Sequence, residues 1–86
     1  MIVSFKATFL RQFNKLEISL QEEVLTKVGL FKSSPNHRQL KVHKLRGQLA
    51  GRYSFSVNYK YRIVFEYLSK KEVALLAVGD HDVYNL

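Results

Sequence analysis

The spacing of apolar residues changes period along the chain, and the changes divide it into elements. Ile2 to Lys6 alternates, with Val3 and Phe5 on one side and Ser4 and Lys6 on the other, which predicts a short strand. Thr8 follows as a helix N-cap. Phe9, Phe13 and Leu16 then recur at i, i+4 and i+7, the stripe of a helix of about two turns with Arg11 and Lys15 turned outward. Ser19-Leu20-Gln21-Glu22 has the layout of a capping box, with the serine at the cap, and Leu20, Val24, Val28 and Phe31 continue as one apolar stripe. A helical hairpin is expected. Ser33-Ser34-Pro35-Asn36 ends it, because proline disfavours helix at the residue before it and serine and asparagine supply turn chemistry.

From His37 to Arg52 neither period holds, and glycines interrupt at Gly47 and Gly51. This reads as a basic connecting segment, partly extended. Alternation returns at Tyr53-Ser54-Phe55-Ser56-Val57, with Tyr53, Phe55 and Val57 on one face and the serines on the other. After a turn at Asn58-Tyr59-Lys60, a second alternating run from Tyr61 to Tyr67 groups Arg62, Val64 and Glu66 against Tyr61, Ile63, Phe65 and Tyr67. Ser69-Lys70-Lys71 turns the chain again. Val73 to Val78 is apolar at every position, as a central strand should be. The expected fold is α+β: an N-terminal strand, a helical hairpin, then a three-stranded antiparallel meander with the helices on one face of the sheet.

Eighty-six residues set one domain, 1–86, with a core thin enough to need nearly every apolar side chain. There is no cysteine, which removes disulfides, thiolate metal sites and cysteine nucleophiles together. The N-terminus lacks the layout of a signal peptide and no apolar run is long enough for a membrane span, so a soluble, cytoplasmic protein without membrane contact is expected.

Charge changes the picture more. The net charge is +7, and between Val24 and Phe65 lie Lys27, Lys32, Arg38, Lys41, Lys44, Arg46, Arg52, Lys60 and Arg62 without one aspartate or glutamate. Stability alone would favour mixed signs, so the run marks a surface for a polyanion. His43 within the run and His81 beyond it can move protons near neutral pH, which extends nucleic-acid binding toward cleavage. Blander roles exist for each residue. His43 can be a solvated histidine in a basic loop, and His81, between Asp80 and Asp82, can belong to a capped turn; one histidine with adjacent aspartates is a weak metal-ligand pattern. Arg62 shares its face with Glu66 and can pair with it, while Tyr84 can stack on a base or close the edge of the core.

Three motifs in order, His43-Lys44-Leu45-Arg46-Gly47, Tyr53-Ser54 through Asn58 to Tyr61-Arg62-Ile63-Val64-Phe65, and Gly79-Asp80-His81-Asp82-Val83-Tyr84, resemble the RelE/ParE superfamily of bacterial toxin–antitoxin toxins. The resemblance spans the whole chain and is nearest to the RNA-cutting branch, with the terminal glycine-x-histidine and aromatic most like the YafQ group. It implies a type II toxin that cuts mRNA without a metal or other cofactor, usually on the ribosome, and is silenced in a hetero-oligomer by a co-produced acidic antitoxin. Arg62 falls on the arginine that contacts the scissile phosphate, His43 on a histidine of YafQ-like members, and His81 and Tyr84 on the C-terminal catalytic histidine and aromatic. Where RelE carries lysines this chain has Ser54 and Ser56, which favours a mechanism built on two histidines.

RNA supplies its own nucleophile, the 2′-hydroxyl, so a base, an acid and a phosphate clamp suffice. His43, His81 and Arg62 are the candidates, with Tyr84 beside them and Lys41, Lys44, Arg46, Arg52 and Lys60 as phosphate-binding cations. Two other functions remain compatible with the sequence: inhibition of DNA gyrase by binding, as in ParE-type members, and a non-catalytic basic RNA-binding module.

Overall fold

The computed structural model describes residues 1–84, apart from the side chains of His81 and Asp82. Strand β1 (Ile2–Phe5) leads directly into helix α1 (Ala7–Asn14), and α2 (Ile18–Ser33) completes the hairpin. Both helices begin earlier than their cap signals suggest. Lys6 is the N-cap of α1, and Thr8 instead accepts a 3.4 Å bond from the Arg11 guanidinium. Glu17, not Ser19, is the N-cap of α2. The short interhelical connection accounts for this: Gln21 Nε2 donates across the hairpin to the Phe13 carbonyl at 2.9 Å, a tertiary bond that supersedes the local capping box.

The connecting segment contains more structure than its pattern suggests. A 3-10 turn at Arg38–Leu40 buries Leu40, a two-residue strand β2 (His43–Lys44) follows, and a second 3-10 turn spans Gly47–Leu49. Gly47 and Gly51 have φ of +66° and +90°, conformations that favour glycine, and they allow Leu45 N–H to reach Arg52 C=O at 2.9 Å. Strands β3 (Tyr53–Ser56), β4 (Arg62–Tyr67) and β5 (Glu72–Gly79) form the expected meander. Among the described residues the sheet has five strands in the order β1-β5-β4-β3-β2, with β1 parallel to β5 and the other pairs antiparallel.

Both helices cover one sheet face. Leu20, Val24, Val28 and Phe31 of α2 are all buried against Phe55, Ile63, Phe65, Val73, Leu75 and Val78. Phe31 is central, stacked 4.6 Å from Phe55 and tilted 4.8 Å from Phe65. The sheet's other face has a smaller core, in which Val64, Ala77 and Val83 are buried with Leu45, Leu76 and Tyr84 packed around them.

A bulge makes the two cores compatible. Val64 pairs with Ala77 but Phe65 pairs with Leu75, which leaves Leu76 as an extra residue in β5. Alternation therefore changes phase within β5. Val73, Leu75 and Val78 all face the helices, while Leu76 and Ala77 join the second core. Beyond the end of β1, the Val78 N–H is satisfied by Gln12 Oε1 of α1 at 2.8 Å, so the helix supports the strand that leads to Gly79 and Asp80.

Phe31→Ala should cost about 3–5 kcal/mol, because it removes a ring from two aromatic contacts in a core that cannot collapse around the void. Urea unfolding measures this, and a loss below about 1 kcal/mol would contradict Phe31 as the centre of the core.

Candidate functional site

The face of the sheet away from the helices presents His43, Ser54, Ser56, Arg62 and Val64. Their common orientation follows from the register, since His43 is opposite Ser54, Ser54 opposite Val64, and Ser56 opposite Arg62. Both serines are buried, Ser54 completely. The strand that reads from sequence as half polar is thus covered on both sides.

Ser54 organises what lies above it. Arg62 Nε donates to Ser54 Oγ at 3.0 Å, and Ser54 Oγ shares a 3.3 Å hydrogen bond with the Tyr84 hydroxyl. A second Arg62 nitrogen, Nη2, donates to the Lys41 carbonyl at 2.8 Å. Lys41 offers that carbonyl from a left-handed backbone conformation, φ 47°, at the end of the Arg38–Leu40 turn. With Nε and Nη2 both engaged, one edge of the guanidinium is fixed and the side chain has little freedom. The alternative pairing with Glu66 is not what holds it: both of its bonds run to neutral oxygens.

Arg62 lines a cleft of about 500 Å³ with His43, Tyr59, Lys60, Asp80 and Tyr84. These residues come from four parts of the chain. The edge strand β2 brings His43, the β3–β4 turn brings Tyr59 and Lys60, β4 begins at Arg62, and the end of β5 and the 3-10 turn His81–Tyr84 bring Asp80 and Tyr84. Tyr84 is half-buried; it packs on the second core, as the core-edge reading expects, and it also lines the cleft. The side chain of His81 lies outside the described residues; its neighbours Asp80 and Tyr84 both line the cleft.

The predicted cations divide. Lys60 and Arg62 line the cleft, and Lys41 takes part through its carbonyl. Lys44 is opposite Tyr53 and so projects from the helix-bearing face, away from His43. Arg46 and Arg52 flank the Gly47–Leu49 turn and do not contribute to the cleft lining. Among the described residues, no group of three or more histidine, aspartate or glutamate side chains comes together to hold a metal ion.

Sequence reasoning missed the parts of Ser54 and Tyr59. Ser54 carried a signal, a serine alternating with large apolar residues, but its partners depend on register. Tyr59 carried another, an aromatic residue in a turn where glycine, asparagine or aspartate is usual.

No protein-family model matches the sequence, and no curated protein matches it. Solved structures do. YafQ from E. coli aligns with a TM-score of 0.78 at 13% identity, over 95% of this chain and 94% of that one. A YoeB/ParE toxin from Agrobacterium tumefaciens aligns at 0.77 and 16%, over 94% and 99%. A chain of the intact E. coli RelBE toxin–antitoxin complex aligns at 0.69 and 25%, over 92% and 94%.

The chain has the RelE/ParE toxin fold.

The α+β architecture expected from sequence is therefore that of the RelE/ParE toxins. The divergence at matched fold is large, so the polar network under the RelE/ParE sheet face has to be read from this chain's own residues. Ser54→Ala removes the acceptor of Arg62 Nε beneath a covered sheet and should destabilise the protein by about 1–3 kcal/mol. Tyr84→Phe breaks only the longer bond and should cost less, about 0.5–1.5 kcal/mol. Chemical denaturation of the two variants checks this order; an unchanged midpoint for Ser54→Ala would remove Ser54 as the anchor.

Proposed function

We propose that this chain is the toxin of a type II toxin–antitoxin pair and acts as an endoribonuclease on mRNA, in association with the ribosome. The observation that carries the reading is the meeting of His43, Arg62 and Tyr84, from distant parts of the sequence, around one cleft of a strongly basic chain. The RelE/ParE fold, shared with toxins solved in complex with their antitoxins, supports it.

In this reading a phosphodiester of single-stranded RNA enters the cleft. Arg62 binds the two non-bridging oxygens with a planar fork that lysine cannot reproduce, and stabilises the charge that grows on them as phosphorus becomes five-coordinate. His43 takes the proton of the adjacent 2′-hydroxyl while that oxygen attacks phosphorus. The bond from phosphorus to the 5′-oxygen breaks, and His81 gives a proton to the leaving oxygen. The products are a 2′,3′-cyclic phosphate and a free 5′-hydroxyl, so no external nucleophile is consumed. Tyr84, hydrogen-bonded to Ser54, borders the reacting group. Lys60 adds positive charge at the mouth of the cleft.

The antitoxin is proposed to be an acidic protein segment, drawn to the same cationic surface that attracts RNA. Occupying the cleft would place carboxylates where phosphates bind, which accounts for silencing by simple competition.

Incubation with translating ribosomes, followed by mapping of 3′ ends on the message, tests the proposal. His81→Ala should lower cleavage about 10²–10⁴-fold with the fold intact, as should His43→Ala. Arg62→Lys should lower it about 10²–10³-fold. Message left intact by the native chain, together with inhibition of DNA supercoiling, would replace the nuclease with a gyrase inhibitor.

A further inference from the structure

The turn between β3 and β4 exposes Tyr59 fully, at 101% of its reference area, while Tyr53, Phe55, Tyr61 and Phe65 on the flanking strands all pack into the main core. We propose that Tyr59 is a stacking platform for a nucleobase next to the phosphate held by Arg62, with Lys60 contacting the adjoining backbone. The proposal rests on the reading that the cleft takes single-stranded RNA, and it names a subsite of that cleft.

Rigidity is the first argument. Asn58 Oδ1 accepts from the N–H groups of Lys60 at 2.9 Å and Tyr61 at 2.8 Å, a side chain closing the turn from within. The other end of the same amide, Nδ2, donates to Glu23 Oε2 of α2 at 2.9 Å. Ser56 Oγ donates to the Asn58 carbonyl at 2.8 Å, and Val57 N–H to the Tyr61 carbonyl at 2.9 Å. The backbone is pinned on every side of Tyr59, although turn tips are usually the loosest part of a hairpin. A large aromatic ring on a fixed mount loses little conformational entropy when something stacks on it.

Position is the second argument. Tyr59 lines the cleft together with Lys60 and Arg62. Two residues separate it from Arg62, three Cα–Cα steps spanning at most about 11 Å, so one short strand of RNA can touch both. Lys60 lines the same cleft, and its Nζ lies 5.7 Å from the centroid of the Tyr61 ring.

Chemistry is the third. Single-stranded RNA is bound by splayed bases stacked on aromatic rings and by cations along the backbone, and this turn pairs one exposed ring with one cation. Stacking on Tyr59 would pull the base out of line with its neighbours and so open the phosphodiester to attack by its own 2′-hydroxyl. Every base has a π-face, so this subsite adds affinity with little sequence preference.

The test uses the full chain and a short single-stranded oligoribonucleotide made uncuttable by a 2′-O-methyl group at each position, with binding read by fluorescence anisotropy. Tyr59→Ala should weaken binding about 5- to 150-fold, whereas Tyr59→Phe, which keeps the ring, should stay within about twofold. An abasic nucleotide beside the central phosphate should weaken the native chain similarly and add nothing to Tyr59→Ala, because the two changes delete one contact. Full exposure of Tyr59 keeps the fold out of the comparison, and an unchanged melting curve verifies that. Equal binding by the native chain and Tyr59→Ala overturns the subsite. If the native chain nevertheless cuts ribosome-bound message, the cleft keeps its proposed function and only the stacking role is lost; if it cuts none, both fall.

Discussion

The restraint of Arg62 by two uncharged oxygens is what makes this sheet face more than a surface. Ser54 Oγ and the Lys41 carbonyl are neutral acceptors, so they fix the direction of the guanidinium without themselves neutralising it. Each oxygen has its own support. Ser54 is wholly buried in β3, beneath the second small core, and Lys41 is turned outward by a backbone conformation seldom adopted by residues other than glycine, asparagine and aspartate. Two helices, two cores and a bulged sheet thus converge on the orientation of one side chain.

The bulge at Leu76 is the second constraint. A regular β5 would send alternate residues to each face along its length, and the helices would then lose either Val73 and Leu75 or Val78. One extra residue resets the phase and allows a strand of eight residues to serve the main core at both ends while Leu76 and Ala77 build the opposite layer. That opposite layer seats Val83 and Tyr84, and with them the 3-10 turn that closes the cleft.

Much of this fold was legible in the sequence because periodicity reports burial. The α2 stripe of Leu20, Val24, Val28 and Phe31, the stop at Ser33 and the β3–β4–β5 meander all follow from apolar spacing. Cap positions were not, since the bond from Gln21 to the Phe13 carbonyl is tertiary and outweighs a local signal. Nor was β2, two residues whose pairing with β3 depends on glycine-permitted turns. For the site, residue types pointed to His43, Arg62 and Tyr84, and the fold gathers them at one cleft. Lys44 shows the limit of the same approach. A run of cations gives total charge but not facing, and a single step along a strand sends His43 and Lys44 to opposite sides.

The pairing of β1 with β5 joins Ile2 to Glu72, about seventy residues apart in the sequence. Such long-range closure raises contact order and delays completion of the sheet. During synthesis the first strand emerges with no neighbour to receive it, and the Gln12 side chain has no Val78 amide to meet, until the last strand has left the exit tunnel. The sheet therefore stays open until β5 is in place, and the cationic cleft, which draws Asp80 and Tyr84 from the chain after that strand, cannot assemble before it.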